Sequence, residues 1–184
     1  GEYPMAIECY QEALRVRETL LDDCDGDGDD VSDTYFNMGG LYLLNKNFDN
    51  AAASFEECLR IRIDKYGKDH LKVADGHLNM VELHLQKREE HMALLRLEEV
   101  LRIKKGTLGD AHQDVAVILS NMGTVYVANS EWSNALCKYD EAIKVFTSAG
   151  VGPESSDVTK LMQAVEVVKE KQKNAMKPKS KFRR

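Results

Sequence analysis

The 184-residue sequence contains no apolar run that approaches the ~20 residues needed to cross a bilayer. It begins Gly1-Glu2-Tyr3, without an initiator methionine and without the charged and apolar regions of a signal peptide. These absences argue against a membrane span and against secretion. We therefore expect a soluble fragment of a longer protein.

Motifs for catalysis and cofactor binding are also absent. No Ser/His/Asp or Cys/His set, glycine-rich phosphate loop or metalloprotease pattern occurs. Four of the five histidines are spaced by seven residues, at His70, His77, His84 and His91. Seven residues are two helical turns, about 10 Å of rise, whereas two ligands of one zinc need a spacing of three or four. We predict no enzyme, no cofactor and no metal site.

The four cysteines form no CxxC pair. Buried and reduced thiols are the simplest interpretation of Cys9, Cys24, Cys58 and Cys137. Reduced thiols are typical of the cytoplasm or nucleus rather than of secreted proteins. The expected location is therefore cytoplasmic.

Charge is distributed unevenly along the chain. The net charge is -6, yet residues 169–184 contain eight basic residues and one acidic residue. An acidic body therefore ends in a basic tail, which we expect to be disordered over residues 173–184. The tail has one aromatic residue, Phe182, so nucleic acid is not the expected partner.

The sequence does contain a repeat with a period of 42 residues. An Asn-Met pair recurs at 37, 79 and 121, and an alanine recurs at 51, 93 and 135. A fixed period between about 20 and 50 residues, with apolar residues at matched positions, indicates a solenoid of helical repeats.

Small residues indicate where two helices of one repeat approach each other. Gly39 and Gly123 lie on first helices and have no side chain, and the recurring alanines lie on second helices. Large residues follow each alanine by four positions, on the same helical face: Phe55, Leu97 and Tyr139. This pattern predicts close packing of each helix pair.

The residues Gly39, Tyr42, Ala51, Phe55 and Cys58-Leu59, with Gly123, Tyr126, Ala135, Tyr139 and Ala142, resemble the tetratricopeptide repeat. The resemblance covers residues 1 to about 146. The long period and the phrase Gly67-Lys68-Asp69-His70, echoed by Gly109 to His112, resemble repeats of the kinesin light chain group. The resemblance implies an all-α, right-handed α-solenoid of helix-turn-helix repeats that binds a protein or peptide.

The repeat pattern predicts seven segments. Residues 1–20 form the second helix of a truncated repeat, and residues 21–30 form an acidic loop. Three repeats follow at 31–70, 71–112 and 113–147. A capping helix at 157–172 carries its apolar residues at helical spacing, and residues 173–184 form the basic tail. The apolar residues of the capping helix are Leu161, Met162, Val165 and Val168.

The acidic loop partly matches a calcium-binding pattern. Asp23, Asp25 and Asp27 occupy the first half of the DxDxDG motif. The twelfth position, which should supply a bidentate glutamate, is Thr34. A solvated acidic loop is therefore the expected structure, and a calcium-responsive module is an alternative function.

Function is expected on the first helix of each repeat, which in this fold lines the concave surface. Asn37, Asn79 and Asn121 recur there although asparagine is a mediocre helix former. An amide has both a donor and an acceptor, which suits binding the backbone of an extended peptide. Capping or bridging of neighbouring repeats is the alternative role. The candidate peptide-binding residues are Asn37, Asn79, Asn121, Asp33, Phe36, Asp75, Leu78, Glu82, Ser120 and Thr124.

The residues expected to line this surface are acidic or neutral, so a basic or apolar peptide is the expected partner. Kinesin light chains instead have basic groove residues for acidic, tryptophan-containing cargo, and no lysine or arginine occupies the matching positions here. A protein-interaction scaffold is therefore the predicted function. The alternatives are a kinesin light chain-like cargo adaptor for a microtubule motor and an accessory subunit of an enzyme.

Overall fold

The computed structural model describes residues 2–21 and 28–176, and its regular secondary structure in these ranges is entirely α-helical. The chain divides into two compact units, Gly1–Thr107 (unit 1) and Leu108–Arg184 (unit 2). The helices are α1 (Glu2–Leu21), α2 (Gly28–Leu44), α3 (Phe48–Tyr66), α4 (Leu71–Gln86), α5 (Glu90–Leu108), α6 (Gln113–Ala128), α7 (Trp132–Ser148) and α8 (Ser156–Met176). The predicted class, an α-solenoid of helical repeats, is confirmed.

The pairs α2/α3, α4/α5 and α6/α7 fall in the segments predicted as repeats, and their turns share one backbone feature. The residues Lys46, Arg88 and Ser130 have φ values of 58°, 61° and 60°, at steps of 42 residues. Each lies between the first and second helix of its pair. The period seen in the sequence is therefore also a period of backbone conformation.

The recurring Gly-Lys-Asp-His phrase ends one helix and begins the next. Gly67 has φ 81°, a left-handed conformation that favours glycine, and its N–H donates to the Ile63 carbonyl at 2.8 Å. His70 is then the N-cap of α4, where its Nδ1 accepts from the Lys72 N–H at 3.1 Å. In unit 2, His112 accepts from the Asp114 N–H at 3.1 Å in the same way.

Unit 1 has an apolar core to which one glycine contact is central. Phe55 of α3 is 3% exposed and belongs to a cluster with Leu43, Ala51, Met80 and Leu83. The Phe55 ring lies directly over Gly39 of α2, where an added Cβ would overlap the ring atoms. The predicted close approach of the two helices is confirmed at this point.

Unit 2 repeats the same contact. The ring of Tyr139 on α7 covers Gly123 of α6, and an added Cβ at Gly123 would overlap it. Helix α8 then packs on the pair through four buried residues: Val158, Leu161, Val165 and Val168. Met162, predicted to share this face, is 51% exposed because it lies about 100° around the helix from Leu161.

Helix α8 is longer than the capping helix predicted at 157–172. It continues to Met176, so the part of the basic tail from Lys173 to Met176 is helical. Two contacts with α7 hold its last turns: Gln172 Nε2 donates to Ser133 Oγ at 2.9 Å, and Lys171 Nζ lies 5.7 Å from the centre of the Trp132 ring. Residues 177–184 of the tail lie outside the described residues.

The prediction of buried cysteines holds for Cys58 and is wrong for Cys9 and Cys137, which are exposed. Cys137 follows the buried Ala135 by two residues, about 200° around α7, so it faces away from the core. All three thiols are free. Burial raises the pKa of the Cys58 thiol to about 11, although the Arg62 charge opposes the shift. Cys24 lies outside the described residues.

The candidate calcium ligands Asp23, Asp25 and Asp27 also lie outside the described residues. The acidic loop was predicted to extend to residue 30, but α2 already begins at Gly28. Within the described ranges, no helix combines the length and apolarity needed to cross a membrane.

Candidate functional site

A groove in unit 1 brings several of the predicted peptide-binding residues together. We call it the α2–α4 groove, and its volume is about 430 Å³. Helices α1 to α4 all contribute side chains to it. Its lining consists of Tyr10, Phe36, Asn37, Gly40, Leu41, Leu43, Leu44, Phe55, Asn79, Glu82 and Gln86.

Asn37 and Asn79 both lie in this groove, as the 42-residue period predicts. Asn37 is exposed and Asn79 is half-buried. The Asn79 Nδ2 is buried without a hydrogen-bond partner in the described part of the chain. The Asn37 side chain also makes no hydrogen bond there. The alternative role is to bridge neighbouring repeats. These atoms form no hydrogen bond to another described residue that would serve as such a bridge.

The groove is apolar with a single acidic group among its described lining residues. Glu82 is exposed, and its Oε1 accepts from Gln86 Nε2 at 3.0 Å. No lysine or arginine belongs to this described lining. Aromatic and aliphatic side chains such as Phe36 and Leu41 form most of the remaining wall.

Arg62 of α3 is the residue near this groove that the sequence analysis missed. It is 6% exposed, and its Nη2 donates to Asp33 Oδ1 at 2.8 Å while its Nη1 donates to the Lys72 carbonyl at 3.1 Å. Its guanidinium also lies 5.5 Å from the centre of the Phe36 ring. The signal was present, because Arg62 continues the apolar stripe of Cys58, and a buried cation requires a partner.

Arg62 thus positions two of the predicted binding residues. Asp33 is exposed but its carboxylate is held in an ion pair, and Phe36 lies against the guanidinium. Asp75 is exposed and Leu78 is half-buried, and neither lines the α2–α4 groove. Of the unit 1 candidates, the groove therefore contains Phe36, Asn37, Asn79 and Glu82.

The candidates in unit 2 line a separate, smaller pocket of about 270 Å³, the α6–α8 pocket. Thr124 Oγ1 donates to the Ser120 carbonyl at 3.2 Å and lies 3.2 Å from the Tyr139 hydroxyl. Asn121 is exposed, and its side chain has no hydrogen bond within the described ranges. Helix α8 supplies four of the lining residues, which the sequence analysis did not anticipate: Asp157, Lys160, Leu161 and Ala164.

The evenly spaced histidines have separate structural surroundings. His70 caps α4 and stacks on the Tyr66 ring with centroids 4.6 Å apart. His84 is buried, and its Nδ1 lies 2.7 Å from Glu89 Oε2, a hydrogen bond that lowers the pKa of the Glu89 carboxyl. Among the described residues, no three or more His, Cys, Asp or Glu side chains are grouped to hold a metal.

Residues 30–106 match the family model described as tetratricopeptide repeat. This range contains α2 to α5 except for the ends of the first and last helices. No curated protein matches the chain significantly.

Solved structures show the same fold over nearly the entire chain. BtubC (BKLC) from P. vanneervenii has a TM-score of 0.67 and 20% identity, and the match covers 100% of this chain and 78% of that chain. The Podosopora anserina kinesin light chain with nearly identical TPR-like repeats has a TM-score of 0.59, 14% identity and coverages of 94% and 89%. A second crystal structure of that protein, with one substitution, has a TM-score of 0.60 and 14% identity, and the match covers 95% of this chain and 90% of that chain. At these identities the likeness concerns the fold alone.

Proposed function

We propose that this chain, in which residues 30–106 match the tetratricopeptide repeat family, is a protein-interaction scaffold that binds an extended peptide in the α2–α4 groove. Repeats of this fold generally mediate protein–protein interaction and are generally not catalytic. One observation carries the proposal. The amides of Asn37 and Asn79 lie in one groove without protein partners in the described part of the chain.

An extended peptide has an N–H and a carbonyl at each residue, and an amide side chain is complementary to both. Asn37 and Asn79 would therefore bind the peptide backbone without selecting for a particular peptide sequence. Each such hydrogen bond contributes about 0.5–1.5 kcal/mol, so loss of both amides is worth about 1–3 kcal/mol. Apolar side chains of the peptide would lie against Phe36 and Leu41.

The charge of the groove favours a basic or apolar peptide. Glu82 is its acidic lining residue, and no cation is among the described residues that line it. A lysine or arginine of the peptide would therefore be attracted to the Glu82 carboxylate, whereas an acidic residue would be repelled by it. In unit 2, Asn121 would make the equivalent backbone contact, with Ser120 and Thr124 beside it.

The experiment is a peptide-display selection against the native chain, followed by anisotropy titrations of the selected peptides. Binding should weaken about 5- to 150-fold in the Asn37→Ala/Asn79→Ala variant, which corresponds to about 1–3 kcal/mol. The matched control is Asn45→Ala/Asn50→Ala, which removes two exposed amides of unit 1 outside the groove. Equal affinities of the two double variants would refute the proposal.

The location proposed from the sequence is cytoplasmic, and the free thiols of Cys9, Cys58 and Cys137 support it, since secreted proteins usually pair their cysteines. A motor adaptor is not the preferred function, because likeness to kinesin light chain structures concerns the fold alone. Copurification of a kinesin heavy chain with the full-length protein would reverse that preference.

A further inference from the structure

Unit 1 contains a second cavity, of about 460 Å³, which we call the α4–α5 cavity. It is lined by residues of α3, α4 and α5 and of the turn before α4. His77 lines this cavity and Asn79 lines the α2–α4 groove. Two residues correspond to about 200° around a helix, so the cavity and the groove lie on opposite faces of α4.

The walls of the α4–α5 cavity are apolar and partly open to solvent. Ile63 and Val73 form the inner wall, and Val73 is completely buried. Met92 and Leu95 of α5 form the outer wall, with 38% and 45% of their surfaces exposed. Met92 and Leu95 thus place two exposed apolar side chains next to each other at one cavity.

The cavity also contains an unpartnered polar side chain. His77 is 7% exposed, and no atom in the described part of the chain forms a hydrogen bond with its Nδ1. Burial, and then the positive charge of Arg96, lower the pKa of this imidazole. His77 is therefore neutral at pH 7 and offers one donor and one acceptor. A buried polar atom without a partner is costly, and a bound ligand would remove that cost.

Two cations at the cavity have no counter-ion among the described residues. Lys68 and Arg96 line it, and neither forms an ion pair or hydrogen bond within the described ranges. Glu99 also lines the cavity, but Arg102 already binds its carboxylate, with Nη2 to Oε1 at 2.7 Å. This bond lowers the pKa of the Glu99 carboxyl and keeps it ionised. The positive charge of Lys68 and Arg96 is therefore not neutralised by the cavity's own carboxylate.

We propose that the α4–α5 cavity is a second peptide-binding site, for a segment in which a carboxylate lies beside a bulky apolar side chain. The apolar side chain enters between Met92 and Leu95. The carboxylate pairs with Arg96 and Lys68, and the His77 imidazole forms a hydrogen bond with the segment. This site goes beyond the proposed scaffold function, since its ligand has the opposite charge to the one expected in the α2–α4 groove.

The test uses a fluorescein-labelled octapeptide, Gly-Ser-Leu-Glu-Phe-Glu-Gly-Ser, and its counterpart with glutamine at both glutamate positions. Anisotropy is measured with the full chain and with variants of verified helicity. The acidic peptide should bind saturably and at least about 10-fold more tightly than the glutamine peptide, because charged hydrogen bonds are about twice as strong as neutral ones. Arg96→Glu should weaken the acidic peptide by about the same factor.

Three further variants separate binding in the cavity from binding elsewhere on the protein. Leu95→Ser, which alters an exposed wall residue, should also weaken binding and serves if Arg96→Glu does not fold. Lys144→Glu makes the same charge change at an exposed position of α7 and should leave the affinity within about 2-fold. The Asn37→Ala/Asn79→Ala variant should also bind normally.

Four outcomes would overturn the proposal. They are no saturable binding of the acidic peptide at millimolar concentration, equal binding of the glutamine peptide, equal weakening by Lys144→Glu, and loss of binding in the asparagine variant. The last outcome would assign the acidic peptide to the α2–α4 groove.

Discussion

Replacing Gly39 with alanine should destabilise unit 1, although alanine is the better helix former. The new Cβ would overlap the Phe55 ring, which is 3% exposed and packed against Leu43 and Met80. Any movement of the ring that admits the new methyl group would cost part of this packing. We expect an overpacking cost of about 3 kcal/mol, at the upper end of the usual range. The gain in helix propensity is about 1 kcal/mol, so the net loss is about 2 kcal/mol.

The neighbouring glycine is the matched control. Gly40 lies in the same helix, and apart from its chain neighbours and the backbone of its own helix, no described atom lies within 4 Å of the position that its Cβ would occupy. Gly40→Ala therefore gains helix propensity without a clash and should stabilise the protein by about 0.5–1 kcal/mol. The two substitutions make the same chemical change at adjacent positions, with opposite expected signs.

Urea denaturation followed by circular dichroism at 222 nm measures both effects. The midpoint should fall for Gly39→Ala and rise for Gly40→Ala, with about 2.5–3 kcal/mol between the two variants. A Gly39→Ala protein as stable as Gly40→Ala would refute the reasoning. It would mean that the Phe55 ring adapts to the extra methyl group without cost.

Three further predictions concern buried groups. Arg62→Ala should cost about 2 kcal/mol in urea denaturation, less than the usual 3–5 for a fully buried pair, because the Asp33 side chain is 58% exposed. Burial lowers the pKa of His77 in the folded protein, so as the pH falls this imidazole is protonated in the unfolded chain before it is protonated in the folded one. The free energy of unfolding should therefore fall as the pH drops below about 6.5, and it should level off below the lowered pKa of the folded state. In native protein a disulfide reagent should label Cys137 rapidly and Cys58 slowly, because Cys58 is buried with a pKa raised to about 11.

Each of these predictions has a control. Arg60→Ala, which breaks exposed ion pairs on the same helix as Arg62, should destabilise the protein much less than Arg62→Ala, because exposed ion pairs contribute little to stability. His77→Gln should flatten the fall in stability between pH 7 and 5, whereas substitution of the exposed His91 should not. Labelling is measured in a Cys24→Ser background and again in denaturant. If Cys58 and Cys137 are labelled at different rates in the native protein and at equal rates in denaturant, burial explains the difference. Equal labelling rates in the native protein would contradict the prediction.

The sequence was sufficient to predict the parts of the fold that depend on local spacing. The 42-residue period and the glycine opposite an aromatic residue predicted the helix pairs, because both are set by which residues share a helical face. The same spacing predicted that Asn37 and Asn79 would meet in one groove. These features need no knowledge of long-range contacts.

The features that were missed depend on contacts between distant residues. Arg62 pairs with Asp33 across 29 positions, and nothing in the local sequence of either residue identifies the other. The extension of α8 through Lys173 depends on contacts with α7, 39 positions away in the case of Gln172 and Ser133. Composition alone made that segment a disordered tail, because charged residues predominate there.

The left-handed residue at 46, 88 and 130 has a practical consequence for protein engineering. The three helix hairpins join their two helices through the same backbone geometry, with a lysine, an arginine or a serine at the joint. Gene recombination at these joints would therefore exchange first helices between repeats without redirecting the chain. Such an exchange keeps the path of the backbone but must also restore the contacts between the two helices, because α2 is bound to α3 through the Asp33–Arg62 ion pair and the packing of Phe55 on Gly39.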